Sequence, residues 1–138
     1  MIGPEVAVGA VALGPQGLLL VRRGHGPAAG TWAPPGGRVH AGETLHEAVI
    51  REMSEETGLH VAVERFLGWV ERMDDGPPPT HFVILDFLVT LLDADAVPVA
   101  GHDAAEVAWV PVSGLSDLHL VPGLLDFLED CGVLDDAL

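Results

Sequence analysis

The chain has 138 residues, 49% of them apolar, and carries a formal net charge of −15 from 21 acidic and 6 basic side chains. That length and apolar fraction specify one globular domain, residues 1–138, with a sizeable core, and exclude a disordered tail. The charge excludes polyanionic partners such as a nucleic acid polymer or an anionic membrane surface, and no apolar run reaches the ~18 residues of a membrane span. A small anionic ligand is still allowed where metal ions and a few arginines offset the field locally. All six basic residues are arginines: Arg22, Arg23, Arg38, Arg51, Arg65 and Arg72. The N-terminus lacks the basic start of a secretory signal, and the lone Cys131 excludes an internal disulfide, so a cytoplasmic protein is expected.

In chain order, residues 5–13 are predicted to form a strand, valine-rich and apolar on both faces. Gly14-Pro15-Gln16-Gly17 is a turn, and residues 18–22 return as the second strand of a hairpin. A Gly/Pro/Ala loop, 23–30, leads to Thr31-Trp32 and then to Pro34-Pro35-Gly36-Gly37, which is expected to lack regular structure. A helix is predicted to start near Thr44, whose spacing to Glu47 fits a capping box, and to stop at Gly58. Residues 61–72 read as a long strand and 74–79 as a loop turning at Asp75-Gly76. Residues 80–92 are the most apolar segment and predict a central buried strand. A second acidic loop, 93–103, precedes a short strand at 107–110 and an amphipathic helix at 121–130. No repeat or linker interrupts this order. It predicts an α/β chain whose mixed sheet is covered by helices on both sides.

The 44–58 helix carries the chemistry. Glu52, Glu55 and Glu56 stand at i, i+3 and i+4 and so share one face. At about 100° per residue, Leu45 and Glu52 lie only about 20° apart around the axis, with Val49 and Glu56 close by. The acidic stripe therefore adjoins the apolar stripe that must face the core. Glu55 and Glu56 also occupy the last turn, where the helix dipole disfavours anions. An ordinary solvated face would be the opposite one, carrying Glu47, Arg51 and Ser54. A bound cation accounts for the clustering. Ligands that are all oxygen select a hard ion, and few protein ligands with open positions favour Mg²⁺, with Mn²⁺ as a substitute, over a closed Ca²⁺ cage.

Residues 37–59, G-R-V-H-A-G-E-T-L-H-E-A-V-I-R-E-M-S-E-E-T-G-L, resemble the Nudix box of the Nudix hydrolase family, G-x5-E-x7-R-E-U-x-E-E-x-G-U with U a bulky apolar residue. Gly37, Glu43, Arg51, Glu52, Met53, Glu55, Glu56, Gly58 and Leu59 all fall on pattern positions. The resemblance implies an α/β/α sandwich with a mixed sheet. It also implies metal-assisted attack of water on phosphorus, which breaks the pyrophosphate link of a nucleoside diphosphate derivative. ADP-ribose, another NDP-X compound or a (d)NTP, oxidised forms included, would be the substrate. H-F-V-I-L-D-F and D-A-A-E-V-A-W-V-P are similar to small bacterial members labelled ADP-ribose pyrophosphatase or mutator-type nucleoside triphosphate hydrolase. The absence of tyrosine counts against the dinucleoside polyphosphate group. A non-catalytic nucleotide sensor is the alternative, but sensors commonly lose a box glutamate.

By the same resemblance Glu52, Glu55 and Glu56 are the metal ligands and catalytic carboxylates, joined by a carbonyl of Gly36 or Gly37, with Glu52 chosen as base. Glu43 and Arg51 are implied as an ion pair bracing loop against helix. Arg23 is implied as a phosphate contact, with Arg22 and Arg38 as further candidates. Trp32, Trp69 and Trp109 either pack in the core or stack on a base; Trp32 is carried with the arginines as a substrate-binding candidate. Asp103 and Glu106 are either an extra carboxylate from a distant loop or exposed loop acids. A buried Asp86 needs a partner, expected to be structural. His25, His40, His46, His60, His102 and His119 lack zinc spacing and are read as solvated. Relatives are often homodimers, and the apolar strands with little basic surface make a homodimer the expectation here.

Overall fold

The computed structural model describes residues 3–26, 29–101 and 103–137. Strand β1 (Glu5–Gly14) buries six consecutive residues, Ala7 to Ala12. The run is apolar throughout because both faces of the strand are covered. The chain reverses at Pro15-Gln16 into β2 (Gly17–Arg23), but the two strands pair only at Leu13↔Leu18 and Gly14↔Gly17. Beyond that they part. Into the gap comes β4 (Gly36–Arg38), antiparallel to the first half of β1 through Ala7↔Arg38, Val8↔Gly37 and Gly9↔Gly36, while β3 (Trp32–Ala33) pairs with β2. The Pro34–Gly37 run, expected to lack regular structure, thus supplies a strand. Pro34 and Pro35 have no N–H to give, yet the Pro35 carbonyl accepts from Ala10 N–H at 2.8 Å. A β-carbon at Gly36 would strike the Val8 carbonyl, so only glycine lets this segment lie against β1.

On the other side of β1 lies β6 (Thr80–Leu91), parallel to it from Glu5↔Phe82 to Ala12↔Val89. The long β5 (Val61–Asp74) runs antiparallel to β6 along the sheet edge, and β7 (Ala104–Val110) pairs with β2. The order is β3-β2-β1-β6-β5, with β4 on β1 and β7 on β2. The 80–92 segment is central as expected, but Thr80 to Leu85 are only half-buried, because one face opens into a cavity.

Helix α1 (Leu45–Thr57) covers one face, packing Ala48, Val49 and Met53 against Val8, Ala10, Phe87 and Val89. Helix α2 (Leu124–Asp130), with 3-10 turns at Val112–Asp117 and Val133–Ala137, covers the other, where Val11, Leu18, Leu20, Leu115 and Leu128 meet. The assignment alternates along β1 and β2, as the period-2 pleat requires. The result is the expected α/β/α layering. Helix α2 starts later than its pattern suggests, after Gly123 in a left-handed conformation (φ 81°). Among the described residues, no helix is long and apolar enough to cross a membrane.

Candidate active site

The ends of α1 are set locally. Thr44 Oγ1 accepts from Glu47 N–H at 3.1 Å, Glu47 Oε1 accepts from Thr44 N–H at 2.9 Å, and Gly58 closes the helix at φ 73°. This fixes the rotation that points Glu52, Glu55 and Glu56 toward β4 and the parted ends of β1 and β2. There they line a cavity of about 870 Å³ together with Arg23, Arg38 and Asp103.

Arg51 ties loop to helix. Its Nε and Nη2 donate to Glu43 Oε2 and Oε1 at 2.6 and 3.0 Å, and Nη2 also reaches the Arg38 carbonyl at 2.9 Å. Nη1 donates to Glu52 Oε1 at 2.7 Å and Glu55 Oε2 at 3.1 Å. Helical phase assigns Arg51 to the solvated face, yet its side chain is only 21% exposed. A long side chain whose planar fork matches a carboxylate bends back over the helix. Hydrogen bonding to Arg51 holds the Glu43 carboxyl down at about 2.

Glu52 and Glu56 are shifted the opposite way. Gly36 N–H donates to Glu56 Oε2 at 2.9 Å, but burial, aided by the charge of Glu52, pushes Glu56 up to about 7. Burial also raises Glu52, against the opposing pull of Arg51. A β-carbon at Gly37 would fall 2.6 Å from the Glu52 carboxyl, so glycine alone leaves that carboxylate its place. Among the described residues no three acidic, histidine or cysteine side chains form a ready-made metal cage. Glu52 and Glu55 are turned to Arg51, and Glu56 to Gly36. Neighbouring desolvated carboxylates, all oxygen and open to a cavity, nevertheless fit a hard divalent cation, which would relieve their charge.

The remaining candidates separate. Arg23 lines the cavity. Arg38 does too, with Nε 2.7 Å from Glu5 Oε2 and its guanidinium over the Phe82 ring. Asp103, at φ 64°, enters the cavity and sets Oδ1 3.3 Å from His25 Nε2. Glu106 does not line it; Arg22 holds it at 2.6 Å on the β2–β7 pair. Trp32 packs with the α2-side core and does not line the cavity either, while Trp109 packs against the α1-side core and Trp69 is exposed on β5. His25 and His40 line the cavity, and His46 stands edge-on to Phe87 at 5.3 Å, so these three are not simply solvated. His102 lies outside the described residues.

Two features escaped sequence reasoning. Val99 and Gly101 N–H donate to the Thr57 and Glu56 carbonyls, both at 2.9 Å, so the acidic loop satisfies the end of α1 and carries Asp103 to the site. A β-carbon at Gly101 would strike the Glu55 carbonyl, and a glycine in an acidic loop was the available signal. Asp86, expected to have a structural partner, makes no hydrogen bond among the described residues although only 7% of it is exposed.

Residues 3–131 match the model of the NUDIX domain. The chain is 36% identical over 115 residues to a protein named ADP-ribose pyrophosphatase from Methanocaldococcus jannaschii, covering 83% of this chain and 66% of that one. It is 32% identical over 131 residues to the putative 8-oxo-dGTP diphosphatase 2 of Mycobacterium tuberculosis, covering 94% of this chain and 89% of the relative. The crystal structure of a MutT protein from Methanosarcina mazei Go1 superposes with a TM-score of 0.81 at 25% identity, over 98% of each chain. Fold, site and relatives together define a hydrolase of pyrophosphate bonds. The chain belongs to the NUDIX domain family.

Proposed function

We propose that this chain hydrolyses the pyrophosphate link of a nucleoside diphosphate derivative with the help of Mg²⁺ or Mn²⁺. The substrate would be ADP-ribose, another NDP-X compound or a (d)NTP, including oxidised forms. The observation that carries this reading is the meeting of Glu52, Glu55 and Glu56 with Arg23 and Arg38 around one cavity. The names of the relatives, an ADP-ribose pyrophosphatase and a putative 8-oxo-dGTP diphosphatase, support both substrate groups. Glu52, Glu55 and Glu56, with a carbonyl of Gly36 or Gly37, would hold the cation. When bound, it supplies charge for the phosphate oxygens and makes water a nucleophile near neutral pH. Arg23 and Arg38 orient the phosphates, and Glu52 takes the proton of the attacking water. Arg51 and Glu43 hold the loop and Glu52 in place without touching substrate. Asp103 is the extra carboxylate candidate within reach; Glu106 and Trp32 have no part in this reading.

The test is a substrate panel in ¹⁸O-labelled water with Mg²⁺, repeated with chelator. Turnover should vanish with chelator, and label should appear on one phosphate product. Full turnover without metal, or label on a sugar carbon, overturns the reading. A homodimer belongs to the same proposal. Phe66, Trp69 and Met73 are exposed on the edge strand β5, a row that a second copy would cover. Light scattering at tens of micromolar should give twice the 14.5 kDa chain mass; a monomer mass overturns the dimer.

A further inference from the structure

The sheet face opposite α1 holds another cavity, of about 440 Å³, that adjoins the first: Arg23, Pro34, Gly37 and Arg38 line both. A molecule whose phosphates lie by the glutamates has room for its other end here. The walls are largely apolar, with Phe82, Ile84, Leu124 and Phe127 among them. Set into them is Asp86, which no hydrogen bond holds among the described residues. The other carboxylate of this cavity, Glu71, is already engaged by His81 Nε2 at 2.6 Å. Arg72 faces Asp86 electrostatically, but among the described residues its side chain makes only a long 3.5 Å hydrogen bond, to the Pro122 carbonyl.

A structural role does not account for this carboxylate. Its neighbours across both strands are glycines, Gly9 on β1 and Gly68 on β5. A β-carbon at Gly9 would run into Asp86 Oδ1, so the sheet is cut back to let the carboxylate lie across β1. Burial pushes its carboxyl up to about 6, a cost that an apolar residue at this position would not incur. An aspartate that only the charge of Arg72 faces, with no hydrogen bond among the described residues and its oxygens open to a largely apolar cavity, is left for a ligand.

Resting on the nucleotide reading above, we propose that Asp86 reads the base and selects the guanine edge. An ionised carboxylate only accepts hydrogen bonds, and it has two oxygens to accept with. Guanine offers two adjacent donors, N1–H and the 2-amino group, on one edge. Adenine and cytosine place an acceptor beside their single amino group, and uracil flanks its one N–H with two carbonyls. Guanine O6, next to N1–H, meets the donors of Arg72. Oxidation at C8 leaves this edge unchanged, so 8-oxoguanine nucleotides present the same pattern. Phe82, Ile84 and Phe127 supply apolar surface for the ring.

The test compares GMP, IMP and AMP binding by calorimetry at pH 8, alongside kcat/KM for dGTP and dATP with Mg²⁺. IMP lacks only the 2-amino group. The parent should bind GMP about 10-fold tighter than IMP and ~100-fold tighter than AMP, because a site built to receive N–H groups rejects a base that lacks them. Asp86→Asn should collapse both ratios and raise the KM for dGTP more than it lowers kcat, while the free variant melts no lower than the parent. Arg72→Gln should weaken GMP more than AMP. Equal loss of GMP and AMP binding in Asp86→Asn, or a lower melting temperature with the base ranking unchanged, makes Asp86 structural and overturns the proposal. Equal kcat/KM for dGTP and dATP in the parent also overturns it, while the pyrophosphohydrolase reading stands. If no nucleotide is hydrolysed, that reading falls, and the GMP-over-AMP ratio still decides the role of Asp86.

Discussion

Glu56→Gln is expected to lower turnover by orders of magnitude and, in the absence of metal, to leave the protein as stable as the parent or more so. The amide holds a divalent cation poorly, which accounts for the loss of activity. The stability effect follows from burial. The Glu56 carboxyl is raised from 4.5 to about 7, so between those values the native state binds a proton that the unfolded chain has lost. Stability therefore falls as pH rises through this window and levels off above it. The full shift corresponds to about 3 kcal/mol. Water entry reduces the gain from neutralising the side chain to ~0.5–2 kcal/mol at pH 8, and the Gln carbonyl keeps the Gly36 N–H bond. Below pH 4.5 parent and variant should converge. Glu52→Gln should act in the same direction but more weakly, since it removes the charge from the 2.7 Å contact with Arg51. Melting in chelator from pH 4 to pH 8 measures this, and added Mg²⁺ should raise the parent's Tm more than either variant's. Both variants melting well below the parent at pH 8 would mean that these carboxylates hold the fold.

Arg51→Met should do the reverse, destabilising the protein and disabling the site together. The side chain satisfies Glu43, Glu52, Glu55 and the Arg38 carbonyl. Its loss leaves two mostly covered carboxylates, Glu43 and Glu52, without a cation. A Tm fall of about 5–10 °C and a turnover loss of ~100-fold are expected. Arg51→Lys should recover little, because a single ammonium nitrogen cannot span the acceptors that Nε, Nη1 and Nη2 reach separately. The pH signature is opposite to that of Glu56. Glu43 is lowered from 4.5 to about 2, so its contribution is present above pH 4.5 and is lost as pH falls through about 2. In Arg51→Met this acid-side loss should disappear from the melting profile. An unchanged acid limb would mean that Arg51 does not hold Glu43 in solution.

The sequence alone determined whatever depends on near neighbours. The capping box at Thr44 and Glu47 and the left-handed stop at Gly58 each involve groups a few residues apart, so α1 and its acidic phase were legible without a fold. The same holds for the strands, whose near-continuous apolar runs are written in β1, β2 and β6. The fit to the Nudix box named the glutamates and the Glu43–Arg51 brace, which helical phase by itself sent to solvent. Tertiary structure decided the rest. Gly36–Arg38 became a strand because β1 and β2 diverge and leave β1 an unpaired edge. Gly101 reached the end of α1, Glu106 was taken by Arg22, and Trp32 went to the core, all through pairings of segments far apart in the chain. Asp86 reads in the sequence as one polar residue in an apolar strand. Only the register that sets Gly9 and Gly68 on either side of it, and the cavity that α2 closes over it, leave that carboxylate facing a cavity with no hydrogen bond among the described residues.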